Sequence, residues 1–77
     1  MATEHRNNVL HYNWAKITTS KVSEKRKTYL CEVDARLLDG TDFRGFQVET
    51  TDIDNNSIFV SMLYSDCESA MSVYNAA

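Results

Sequence analysis

Seventy-seven residues, 43% hydrophobic and 25% charged, suffice for one domain and leave no room for a second core. The absence of proline and the presence of only two glycines point to regular structure with short connections. A net charge of −3 excludes a strongly basic protein, yet it is unevenly spread: residues 1–31 carry six basic and two acidic side chains, residues 32–77 two basic and nine acidic.

In chain order, "MATEHRNN" is polar, without an apolar core or a small-residue cleavage site, and does not read as a signal peptide. Residues 1–7 are expected to form a flexible tail ahead of a single compact domain spanning 8–77. No stretch approaches the ~20 apolar residues of a membrane helix, so the expected location is cytoplasmic. Next, "HYNWAKITTSKV" is rich in the β-branched and aromatic types that favour strands. It should run antiparallel to its successor through a loop near "SEKRK".

The strongest local signal is a hairpin. "TYLCEVDARLL" and "DFRGFQVET" flank Asp39-Gly40, a dipeptide suited to the positive φ angles of a type I′ turn. With those two residues as the loop, Val33 faces Phe46 and Cys31 faces Val48. Tyr29, Ala35 and Leu37 share that side, and Arg36 and Phe43 lie on the other.

The following segment, "VETTDIDNNSIFVSMLYSD", can be read as a buried strand or as a helix. The helical reading is preferred, starting after Thr51 and running near 52–66. Asp52 and Asp54 in a first turn suit the helix dipole, and Thr51 to Asp54 approximates a capping box. It places Phe59, Leu63, Cys67, Val60, Ile53 and Tyr64 within an arc of roughly 140°. It also strands Ile58 and Met62 on the polar side. "SAMSVYN" then reads as a closing strand. The expected fold is α+β: an antiparallel sheet of three or four strands with one helix across a face, in the order β-β-β-α-β.

No chemistry-bearing motif is present. There is no nucleophile elbow, zinc-protease signature or phosphate loop, so no catalytic residue, metal or cofactor is expected. Cys31 and Cys67 stand 36 positions apart without a C-x-x-C neighbour and read as free thiols, with a disulfide left open. His11 could meet Cys31 across adjacent strands, but a core-facing thiol is inert.

Two surfaces could instead bind a partner. Ile58 and Met62, with Phe43 on the outer sheet face, would form an apolar patch rimmed by Glu49, Asp52 and Asp54. Alternatively, Lys25, Arg26 and Lys27 beside Trp14 would suit phosphate contact with base stacking.

In size and in the pattern of Phe46 to Asn75, a strand entering an acidic helix start followed by a closing strand, the chain resembles small phage-encoded inhibitors of host enzymes, such as the T7-type inhibitor of bacterial RNA polymerase. That resemblance implies a stoichiometric binder. The expected function is therefore non-enzymatic: binding a larger host protein or protein–nucleic acid complex and modulating it. A small nucleic-acid-associated protein is the alternative, and a self-associating structural subunit, homo-oligomeric through its last strand's edge, is a third class.

Overall fold

The computed structural model describes residues 4–6 and 8–77, with side chains from residue 8 onward. The chain runs β1 (Glu4–Arg6), β2 (Val9–Ser23), β3 (Arg26–Leu37), β4 (Asp42–Asp52), β5 (Ile58–Tyr64) and α1 (Cys67–Ala76). All pairings are antiparallel, in the sheet order β1-β5-β4-β3-β2. Strands β1 and β2 are consecutive in the chain yet lie at opposite edges of the sheet. In a flat sheet those edges would be about 19 Å apart at ~4.8 Å per strand. The three Cα steps from Arg6 to Val9 span at most about 11 Å. The sheet therefore rolls until its two edges approach.

Rolling gives the sheet an inner and an outer face, and both are buried. Inside, Val33, Leu37, Phe43 and Leu63 pack together with Val9 and Cys31 at their margin. Outside, Leu30, Val48 and Tyr64 pack under α1 against its Ala70 and Tyr74, with Phe46, Met62, Met71 and Val73 filling in. Each fully buried Leu or Val in these clusters contributes roughly 1.5–3 kcal/mol. Neither cluster alone is a large core.

Burial on both faces follows from the hairpin register, which differs by one residue from the sequence expectation. Leu30, not Cys31, lies opposite Val48, and Ala35 lies opposite Phe43. The loop holds three residues, not two: Gly40 N donates to Leu37 O (3.0 Å), Leu37 N donates to Thr41 O (2.8 Å), and Gly40 has φ +88°. The Asp39 carboxylate fixes this turn by accepting from Thr41 N (3.0 Å) and Thr41 Oγ1 (2.6 Å). A slip of one position exchanges faces. Phe43 accordingly leaves the outer surface and enters the inner core.

The order of the last two elements is also corrected: residues 58–64 form a strand and the C-terminal stretch forms the helix. The acidic segment closes the β4–β5 hairpin. The Asp52 carboxylate accepts from Asp54 N (2.8 Å) and Asn55 N (3.2 Å), and Asn55 Oδ1 accepts from Ser57 N (2.9 Å). Asn56 takes the left-handed conformation at φ 60°, which breaks any helix there. The helix starts later, where Asp66, extended at φ −127° and ψ 150°, accepts from Ser69 N (3.0 Å) as its N-cap, with Glu68 in the first turn. The two-sided apolar run 58–64 is then explained. Leu63 enters the inner core, while Met62 and Tyr64 point under the helix.

Of the segment read as a tail, residues 1–3 and 7 lie outside the described residues. Glu4–Arg6 pairs with β5 from Glu4↔Tyr64 to Arg6↔Met62. No helix among the described residues is long and apolar enough to cross a membrane.

Candidate functional site

The expected partner surface is divided by this fold. Ile58 stands at the start of β5, 61% exposed, with Phe59 at 48% and Val60 at 51% beside it. Met62 is half-buried and packs on the outer core, so its side chain supports the sheet from below. Phe43, at 8% exposure, belongs to the inner core and is not available to a partner. Asp52 and Asp54 sit in the adjoining turn, where Asp52 caps backbone amides and Asp54 pairs with Lys25 at 3.8 Å. Glu49 lies on the inner face, opposite Tyr29 across β3 and β4.

The basic alternative is also dispersed. Lys25 and Arg26 lie at the tip of the β2–β3 hairpin, tied to the acidic turn by Ile53 N donating to Lys25 O (2.8 Å). The Arg26 guanidinium lies 4.2 Å from the Phe59 ring centroid, and the Lys27 ammonium 5.2 Å from that of Tyr29. Trp14 pairs with Asp34, whereas Arg26 pairs with Ser23. Nine positions along β2 separate those rungs, roughly 30 Å at ~3.3 Å per residue. Basic loop and indole do not form one binding surface. His11 pairs with Arg36 and Cys31 with Ile17, so these two side chains are not brought together either.

The longest row of exposed apolar side chains was anticipated in the sequence only at Trp14. Leu10 (59%), Tyr12 (43%), Trp14 (50%), Ile17 (58%) and Val22 (62%) all stand on β2, the outermost strand beyond β3. Register shifts between Val9 and His11, Tyr12 and Trp14, and Ile17 and Thr19 interrupt its pairing with β3. Bulges and the edge lysines Lys16 and Lys21 are devices that discourage strand-to-strand aggregation. They leave the side chains, rather than the backbone edge, as the sticky component. The available signal was the loss of alternation: Val9 and Leu10, then Trp14 and Ala15, are adjacent apolar pairs that no half-buried strand needs.

On the inner face, Gln47 is buried at 6% exposure and fully engaged. Tyr12 Oη donates to Gln47 Oε1 (2.6 Å), and Gln47 Nε2 donates to Ser61 Oγ (3.0 Å) and more weakly to Glu49 Oε1 (3.4 Å). This network holds β2, β4 and β5 together. Next to it, burial pushes the Cys31 thiol above its ordinary 9.0, and the neighbouring Glu49 carboxylate adds to the rise. Both cysteines are free. Among the described residues no cluster of three or more His, Cys, Asp or Glu side chains could hold a metal ion.

No family model, curated protein or solved structure matches this chain.

Proposed function

We propose that this protein is a non-enzymatic binding module that docks on a larger macromolecule and modulates it. Its contact residues are the exposed apolar side chains of β2 and of the start of β5. The observation that supports this reading is the exposure of Leu10, Trp14, Ile17, Val22, Ile58 and Val60 at half or more of their surface in so small a domain. Scattered single apolar residues need no explanation, but three consecutive ones at Ile58–Val60 and five along one strand do. Removing such side chains from water supplies most of the energy of protein association, and buried aromatics such as Trp14 are frequent anchors. Stoichiometric inhibition of a host enzyme, the role implied by the resemblance to small phage proteins, is one form such binding takes.

The test is capture from nuclease-treated bacterial lysate with the tagged protein, run in parallel with Trp14→Asp and Ile58→Asp variants of matched stability. One protein retained in stoichiometric amount by the wild type and lost from a variant supports the reading. Retention that vanishes with nuclease favours the nucleic-acid alternative through Lys25, Arg26 and Lys27, which should also weaken steeply with salt. Empty capture, with a mass that rises with concentration, favours self-association.

A further inference from the structure

On the inner face, between the Gln47 network and the hairpin tips, a cleft of about 280 Å³ is lined by Ile17, Tyr29, Cys31, Glu49, Thr51 and Asn56. Four elements contribute: β2, β3, β4 and the β4–β5 turn. The rungs Ile17↔Cys31 and Tyr29↔Glu49 set an aliphatic wall, an aromatic ring and a carboxylate around one opening.

We infer that this cleft receives the side chain of a lysine from a basic protein partner, its ammonium on Glu49 and its methylene stem between Ile17 and Tyr29. This rests on the proposed function and names the chemistry its partner must offer. Three observations carry it. First, Glu49 takes part in neither of the two ion pairs among the described residues, Lys25–Asp54 and Arg36–Asp42. Its one hydrogen bond, from Gln47 Nε2 at 3.4 Å, is long. A half-buried carboxylate so placed gains from a cation. Second, Tyr29 already accepts a cation, since the chain's own Lys27 ammonium lies 5.2 Å from its ring centroid. Third, the size suits one side chain, being below the range of pockets that enclose whole small molecules. A lysine combines an apolar stem with a compact charged head, which matches a cleft with apolar walls and a charged floor. The oxygens of half-buried Thr51 and exposed Asn56 at the rim can accept the remaining ammonium protons.

The experiment is a nuclear magnetic resonance titration of the full chain carrying Cys67→Ser, with Nα-acetyl-lysine methylamide and its norleucine analogue as probes. The expected result is a saturable shift of the Ile17, Tyr29, Cys31, Glu49, Thr51 and Asn56 amides with the lysine probe. Affinity should fall about tenfold in Glu49→Gln, one contact's worth of binding. The Cys31 Cβ signal should also report a thiol that titrates lower when the probe is bound, because the ammonium offsets the Glu49 charge. Equal shifts with norleucine, no shift with either probe, or unchanged affinity in Glu49→Gln would each overturn the inference. A lysine site in a protein that captures no macromolecule would remove the proposed function and the partner named here with it, leaving only the lysine chemistry of the cleft. A captured partner indifferent to Glu49→Gln would do the reverse.

Discussion

Gly45 lacks a side chain because there is no space for one. An ideal Cβ there would lie 2.5 Å from the Tyr64 carbonyl oxygen and 3.0 Å from Phe43 Cζ. The first of these is backbone and cannot swing aside. Gly45→Ala should therefore push β4 from β5 and cost ~1–3 kcal/mol, visible as a lower urea midpoint. Phe43→Ala should cost more, about 3–5 kcal/mol, because it empties the inner core. A surface residue would show neither effect, so an unchanged midpoint in Phe43→Ala would return that ring to the exterior. Cys31 gives a pH-dependent counterpart. Its thiol is raised in the fold by burial and then by Glu49, so the unfolded chain ionises first as pH rises. The stability linked to Cys31 is intact below pH 9.0 and is lost as pH climbs through the folded value. Urea midpoints at pH 8 and pH 10 should differ more for the wild type than for Cys31→Ala.

At the scale of elements, the two ends of the chain's acidic half have exchanged roles relative to the sequence reading, and the local signals permit either outcome. Asp52, Asn55 and Asn56 can serve a helix start or a tight turn, since both use a side-chain oxygen to accept from backbone amides two or three positions on. What decides between them is long-range pairing: Thr50↔Val60 and Phe46↔Tyr64 give β5 a partner that no local pattern announces. Asp66 was the better cap, marked by Glu68 two residues later and Ala70, Met71, Val73 and Tyr74 at helical spacing. Asp66→Ala should cost about 1 kcal/mol and reduce the helical signal in circular dichroism, whereas Asp52→Ala should lower stability without touching it. Strand β2 was legible because its β-branched and aromatic residues favour a strand, although its turn at Glu24, φ 55°, carries no turn signal. The β3–β4 hairpin was legible because Asp39-Gly40 carries its own turn chemistry. The register was not, because Asp39-Gly40 fits both a two-residue and a three-residue loop, and the second becomes the better one only when both sheet faces are covered. For the same reason Phe43 was misplaced, whereas Met62 was turned outward by the helical reading of its segment. Ile58 is exposed as expected, at the start of a strand rather than on a helix. Of the exposed side chains of β2, Trp14 was named, but Leu10, Ile17 and Val22 were missed because a sequence does not say which strand ends at an edge.

For the whole molecule, 36 × 26 × 18 Å in extent, the consequence is a thin body with two small cores and a surface of mixed character. Ile58→Asp should leave stability within about 0.5 kcal/mol, since that side chain is 61% exposed. Met62→Asp should unfold the domain, because it places a charge against Leu30 and Val48. Thermal melts of the two variants side by side test the division of β5 into an outward start and a buried end. If both melt alike, that division is wrong.

The arrangement of β1 also has a temporal consequence. Its partner residues, Met62 to Tyr64, belong to β5, which is made after β2, β3 and β4. During translation the first strand must wait unpaired while β2, β3 and β4 zip into a meander of neighbours. Loop closure from β1 to β5, across three intervening strands, is slow and comes late. Until β5 has left the ribosome the sheet remains an open ribbon with both future interiors wet, so β1 is expected to dock, and the roll to close, only after β5 has emerged.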